Sequence, residues 1–157
     1  MILSRIIPLF QNANIPFCVV GGYAVALHGA IRGTMDLDII TELTVDNLTT
    51  IEELLTSIGM KSSLPINACD IFTNREELIK ERNLIAWNFI HLERKMDLLD
   101  ILITEDIRNY NTVSVHSQWG DIPVIDLDGL IQLKSKTHRK QDHEDVQALI
   151  SLKKQEK

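Results

Sequence analysis

The chain has 157 residues, of which 45% are apolar and only 5% aromatic, and its formal net charge is −6. This length predicts one domain, residues 1–157, with a mainly aliphatic core. The acidic balance argues against a wide basic surface for nucleic acid but allows a local basic patch. The two cysteines, the absence of a signal-peptide pattern and the absence of a membrane-length apolar run predict a reduced, cytoplasmic protein with no membrane partner.

Apolar spacing predicts the secondary structure in chain order. Residues 60–72 are ambiguous, because Pro65 limits them to a loop or an edge strand. Either Asp126 or Asp128 caps the helix that follows the last strand. The predicted helices cover 2–12, 22–29, 44–57, 75–81, 129–138 and 142–152, and the predicted strands cover 17–20, 36–40, 84–92, 96–103, 113–115 and 122–124.

A double glycine and a pair of aspartates are the most informative motif. Gly21 and Gly22 follow an apolar strand, where a glycine lets a phosphate approach the backbone and the following helix start suits an anion. Asp36 and Asp38 stand two apart on the next strand, so they point to the same face. Two adjacent carboxylates repel each other unless a cation lies between them, and hard oxygen ligands suit Mg²⁺.

This arrangement, with His28, Gly29, Arg32 and Thr34 between the two parts, resembles the polymerase-beta-type nucleotidyltransferase superfamily. Its closest branches are the AbiEii-like toxin nucleotidyltransferases and the small-molecule (aminoglycoside and lincosamide) nucleotidyltransferases. The resemblance implies an α+β fold in which helices flank a mixed β-sheet in a minimal single domain. It also implies transfer of an NMP from an NTP to an acceptor hydroxyl or phosphate, with Mg²⁺ or Mn²⁺ and release of pyrophosphate.

The resemblance implies a third acid beside the aspartate pair, and the segment 96–103 offers two. Asp97 and Asp100 lie three apart, so on a strand they face opposite sides. Position after the hairpin favours Asp97, which makes Asp36, Asp38 and Asp97 the predicted catalytic residues and metal ligands. Asp100 is then expected on the other face, paired with a cation.

A basic segment near the end of the chain carries the second part of the resemblance. Lys134 follows Leu130 and Ile131 on the apolar face of a predicted helix, so its amine must reach a polar partner. In the resembled families a lysine here reaches the triphosphate and is followed by an arginine, a lysine and two aspartates, which match Arg139, Lys140, Asp142 and Asp145. The predicted nucleotide-binding residues are therefore Gly21, Gly22, His28, Arg32, Thr34 and Lys134.

Structural roles remain open for three of these residues. Arg32 either clamps phosphate or neutralises Asp36, His28 either serves the nucleotide or is satisfied by backbone, and Lys134 either reaches phosphate or extends to solvent. The acceptor is also open. It is an RNA end such as that of tRNA, or a protein, with a cognate antitoxin or toxin as partner, or it is a small hydroxylated compound. A non-catalytic nucleotide-binding protein is the alternative class, which the retained acids disfavour.

Overall fold

The computed structural model describes residues 1–156 and shows an α+β fold with a mixed seven-stranded sheet. None of the helices in this range combines the length and the apolar character needed to cross a membrane. The helices are α1 (Ile2–Asn12), α2 (Gly21–Leu27), α3 (Val45–Ser57), α4 (Ala68–Arg82), α5 (Leu127–Ser135) and α6 (Lys140–Gln155), and Ile107–Asn109 form a single 3₁₀ turn. The strands are β1 (Phe17–Val20), β2 (Asp36–Thr41), β3 (Met60–Ser62), β4 (Ala86–His91), β5 (Leu98–Leu102), β6 (Thr112–Ser117) and β7 (Gly120–Ile125).

The sheet order is β3-β4-β5-β2-β1-β7-β6, so the first two strands lie in the middle. β2 pairs antiparallel with β1 and parallel with β5, and β1 also pairs parallel with β7. The remaining neighbours are antiparallel. The mixed sheet flanked by helices that the family resemblance implies is therefore confirmed.

Alternation along the central strands separates the core from the site. On β2 and β5, Leu37, Ile39, Leu99 and Ile101 are fully buried, whereas the residues between them are partly exposed. Trp87 continues the buried face on β4. Residues on one side of a strand share a face of the sheet, so polar residues of the opposite face can gather over a solvent-accessible cleft without disturbing this core.

The largest departure from the predicted elements is α4, which begins at Ala68 instead of residue 75. A capping box starts it: the Asn67 side chain accepts from the Asp70 amide, and the Asp70 carboxylate accepts from the Asn67 amide, both at 2.9 Å. Such reciprocal bonds satisfy two amides that the helix leaves unpaired. Asn74 has non-helical backbone angles inside α4, which weakens the periodic pattern across it.

Candidate active site

Three aspartates lie on one face of neighbouring strands. Parallel pairing of β2 and β5 places Asp38 directly beside Asp100 and Asp36 beside Leu98. Asn88 of β4 is the next residue across the sheet, and its amide donates a 2.5 Å hydrogen bond to Oδ1 of Asp100. The strand register therefore gathers Asp36, Asp38 and Asp100 at the same place, with Asn88 orienting the third carboxylate.

Burial and the charges of neighbouring carboxylates raise the pKa values of Asp38 and Asp100. Burial, followed by the charges of Asp100 and Asp36, raises the pKa of Asp38 to about 7, although Lys134 opposes the shift. Burial and the charge of Asp36 also raise the pKa of Asp100, against the hydrogen bond from Asn88. The raised pKa values indicate that neighbouring cations do not compensate the negative charge of the clustered acids. A divalent cation would supply the missing positive charge.

The turn between β1 and α2 is shaped around one of these acids. Gly21 has a φ of +67°, a region that side chains rarely adopt, and a Cβ there would overlap the carboxylate of Asp38. Glycine is therefore required both by the backbone and by the close approach of Asp38. A Cβ on Gly22 would lie 2.9 Å from Nη1 of Arg32 and from the side chain of Thr34, so this glycine lets the 28–35 loop pack on α2.

The prediction that Asp97 is the third acid of the cluster is not met by the geometry. Asp97 lies in the turn before β5, where Arg5 and Arg94 both pair with its Oδ2, the latter at 3.0 Å. Asp97 is three residues from Asp100, so the two side chains point to opposite faces of the strand. Pairing with a cation was expected for Asp100 but is made by Asp97. The predicted roles of the two residues are reversed because the register of β5 against β2 places Leu98 and Asp100 on the face that carries Asp36 and Asp38.

A buried network lies on the other side of the cleft. Lys134, 8% exposed in the last turn of α5, places Nζ 3.1 Å from Oδ1 of Asp142 and 2.9 Å from Oδ2 of Asp145. The predicted polar partner of Lys134 is therefore a pair of carboxylates on α6. Asp142 also accepts from Thr137 at 2.5 Å and from Arg139 at 2.9 Å. Burial alone would raise the pKa of Asp142, but these donors outweigh it and hold the pKa near 2.

Arg32 joins the same network instead of pairing with Asp36. Its Nε donates to Oδ1 and Oδ2 of Asp145 at 3.0 and 3.2 Å, and its Nη1 donates to the carbonyl of Gly33 at 2.5 Å. Thr34 makes a long 3.4 Å hydrogen bond to the carbonyl of Asp36. His28 places Nε2 2.7 Å from the carbonyl of Ile125, so it fastens the end of α2 to β7 and corresponds to the backbone-satisfied alternative.

A cleft of about 650 Å³ connects the acids to the network. Its predicted residues are Gly21, Asp36, Asp38 and Lys134, and Asp100 and Asn88 join them on the floor. Gly22, His28, Arg32, Thr34 and Asp97 lie outside its lining. Arg139 also lines the cleft. The aliphatic residues of its walls are Leu84, Ile85, Ala86, Leu102, Leu130 and Leu133.

The donor set at the floor fits a hard divalent cation, because it consists of three carboxylates and a side-chain amide. The raised pKa values of Asp38 and Asp100 are the observation that supports this fit. In the conformation described, residues 1–156 contain no group of three or more acidic, histidine or cysteine side chains close enough to hold a metal ion. Small rotations of the carboxylates would therefore have to accompany binding.

Solved structures with the same fold include nucleotidyltransferases. The lincosamide antibiotic adenylyltransferase LnuA in its lincomycin-bound form superposes with a TM-score of 0.64 at 18% identity, covering 96% of this chain and 95% of that one. The antibiotic-resistance factor ANT(2'')-Ia gives a TM-score of 0.61 at 12% identity, covering 96% and 81%. An antigenic nucleotidyltransferase-like protein from Paracoccidioides brasiliensis gives 0.58 at 16%, covering 96% and 72%.

These similarities define the class of fold: the chain has the nucleotidyltransferase fold found in lincosamide and aminoglycoside adenylyltransferases. No family model and no curated protein sequence matches the chain. The predicted resemblance to the nucleotidyltransferase superfamily is confirmed at the level of fold, whereas the AbiEii-like branch stays a prediction.

Two residues of the candidate site lie outside the set that the sequence favoured. Asp100 was assigned to the wrong face, and Asn88 was not considered at all. Leu98 and Asp100 point to the same face of β5. Pairing Leu98 with Asp36 would therefore have shown that Asp100 shares a face with Asp36 and Asp38. No pattern in the sequence fixes that register, because β4 and β5 are joined by a turn whose length alone does not determine the alignment with β2.

Proposed function

We propose that the protein is a metal-dependent nucleotidyltransferase that moves an NMP from an NTP to a hydroxyl of a small acceptor. The observation that carries the proposal is the cluster of Asp36, Asp38 and Asp100 on the floor of the cleft, beside the Gly21 turn. The nucleotidyltransferase fold supports it, because the cluster occupies one face of the central strands of that fold.

In this proposal Asp36, Asp38 and Asp100 hold the divalent cation. Bound there, Mg²⁺ or Mn²⁺ would favour ionisation of the acceptor hydroxyl and neutralise charge on the leaving pyrophosphate. Gly21 leaves the backbone open to the phosphates, and Lys134 with Arg139 offers positive charge from the opposite wall. Arg32, held by Asp145, supports the loop that packs on Gly22.

The acceptor oxygen forms a bond to the α-phosphorus while the bond from that phosphorus to the bridging oxygen of the β-phosphate breaks. Pyrophosphate leaves with the bond electrons. The acceptor proton passes to a carboxylate on the floor of the cleft, for which Asp100 is suited because Asn88 orients its Oδ1.

The lining of the cleft favours a small hydroxylated acceptor that also has an apolar part. Its walls are aliphatic, and the positive charges next to it are largely neutralised by carboxylates. Two proteins of this fold are described with small molecules, one bound to lincomycin and the other complexed with adenylyl-2''-tobramycin. An RNA end is the second candidate, favoured by the exposed basic side chains of Lys140 and Arg139 beside the cleft.

The test is labelling with each α-³²P NTP and Mg²⁺ or Mn²⁺ against a panel of lincosamides and aminoglycosides, with total RNA in parallel. We expect labelled small-molecule product that disappears with EDTA and in Asp38→Asn. Asp46→Asn, an exposed aspartate in the first turn of α3, is the matched control and should retain activity. Labelled RNA instead would move the acceptor to the other class. Nucleotide binding without any labelled product would indicate a non-catalytic partner protein.

A further inference from the structure

The network around Lys134 makes two carboxylates part of a site that receives a polyanion. Asp142 and Asp145 are 1% and 3% exposed, and both belong to the first turns of α6. Burying aspartates close to a phosphate site is electrostatically unfavourable for the ligand, so their presence calls for a specific reason.

Asp145 connects the two cations that come from different parts of the chain. Its Oδ2 accepts from Lys134 on α5, and both of its oxygens accept from Arg32 in the loop between α2 and β2. Gln141 adds a 3.1 Å hydrogen bond to Oδ1. The carboxylate therefore fixes the separation and orientation of Lys134 and Arg32.

Asp142 is the second carboxylate that holds the amine of Lys134. It bonds Nζ of Lys134 at 3.1 Å, while Thr137 and Arg139 occupy its other oxygen. An ammonium has three N–H donors. Asp142 and Asp145 take two within the part of the chain that is described, which leaves one for a ligand in the cleft that Lys134 lines.

We propose that Asp142 and Asp145 are positioning residues that hold Lys134, together with the Arg32 loop beside the Gly21–Gly22 turn, in place for the nucleotide phosphates, in spite of their own negative charge. The inference rests on the proposed function. Held in this way, long flexible side chains lose little further conformational freedom when phosphate binds, and each donor already points in its bound direction.

The sign of one affinity change tests this. The probe is an α,β-methylene NTP with Mg²⁺, which binds without transfer, measured by calorimetry. Loss of a negative charge alone would tighten binding of an anion. We expect the opposite for Asp145→Asn, a loss of about tenfold, because two charge-assisted donors lose their orientation. Glu144→Gln removes one charge from the exposed face of the same helix and should leave binding unchanged or slightly tighter.

A double-mutant cycle with Lys134→Met separates positioning from general damage to the fold. If Asp145 acts through Lys134 and Arg32, its replacement should cost less in the Lys134→Met background than in the wild type. Equal costs in both backgrounds, or unchanged or tighter binding in Asp145→Asn, would overturn the inference. Should Asp145→Asn not fold, Asp142→Asn carries the same comparison. A wild-type protein that fails to bind the probe would overturn the proposed function and this inference with it.

Discussion

At the scale of single residues, the assignment of the third acid depends on one strand register. Asp97 and Asp100 have similar sequence surroundings, but their environments in the fold are opposite. Asp97 has two arginine partners outside the cleft, whereas Asp100 faces two other aspartates inside it. The charge of Asp97 is compensated by its two arginine partners, whereas the charge of Asp100 is not compensated by a neighbouring cation and can be by a bound metal ion.

We predict that Asp100→Asn reduces nucleotidyl transfer by at least about a hundredfold, the lower range for loss of a group that acts in acid–base catalysis. Its melting temperature should be unchanged or higher, because the substitution removes repulsion. Asp97→Asn should retain transfer and lower the melting temperature, because Arg5 and Arg94 lose their shared partner. Labelling rates and thermal melts of both variants check this. Loss of transfer in Asp97→Asn at an unchanged melting temperature would restore the original assignment.

Asp38 makes the stability of the metal-free protein depend on pH. Its pKa rises from 3.8 to about 7 on folding, so its proton stabilises the fold below the unfolded value and this contribution is lost as the pH rises through 7. Asp142 has the opposite shift, and its contribution is lost only as the pH falls toward 2. Between about pH 5 and pH 8 the titration of Asp38 therefore lowers the stability as the pH rises.

We predict that in EDTA the melting temperature falls from pH 5 to pH 8 and that Asp38→Asn flattens this fall. At pH 8 the variant should be more stable than the wild type by at least about 1 kcal/mol, since one pKa unit corresponds to about 1.4 kcal/mol. Saturating Mg²⁺ should stabilise the wild type at pH 8 but not the variant. Scanning calorimetry measures all three, and parallel pH profiles for the two proteins would contradict the assigned environment of Asp38.

At the scale of elements, local sequence patterns predict the helices and strands, whereas they do not predict contacts between elements that are distant in sequence. The positions of α1, β1, β2 and α3 follow from apolar spacing and turn residues near them in sequence; the predicted bounds of α1 and β1 equal the observed ones, and those of β2 and α3 differ by one residue at one end. The face that β5 turns to the site and the contact of α6 with Arg32 follow from pairings across more than fifty residues. Sequence spacing therefore identified Lys134 as needing a polar partner but left the bonding of Arg32 to Asp145 open.

The aspartate pair was predictable because both residues belong to one strand, where alternation alone fixes a shared face. Asp100 required the register of β5 against β2, and Asn88 required in addition the register of β4 against β5. Each added strand multiplies the possible alignments, and a shift of one residue exchanges the faces. Residues contributed by neighbouring strands are for this reason the part of the site that sequence alone leaves undetermined.

At the scale of the whole molecule, charge bears on the acceptor. The sequence suggests a basic cluster of Lys134, Lys136, Arg139 and Lys140, but three of its four members are paired with carboxylates. Lys134 and Arg139 bond Asp142, and Lys136 lies 2.9 Å from Glu105, which raises the pKa of Lys136. With a formal net charge of −6, the protein offers little free positive charge to a polyanionic acceptor.

We therefore predict that transfer to the acceptor changes little as salt rises, apart from the effect of salt on the NTP itself. A small acceptor releases few counterions, whereas RNA binding weakens in proportion to the phosphates that the protein neutralises. Charge reversal at Lys136 and Lys140 should leave the KM for a small acceptor unchanged, as should the control Lys153→Glu, whose lysine pairs with Asp128 on the surface. Initial rates over a range of KCl concentrations measure both effects. A steep fall with salt, deepened by reversal at Lys136 and Lys140 but not at Lys153, would show that RNA enters along the end of α5 and the start of α6.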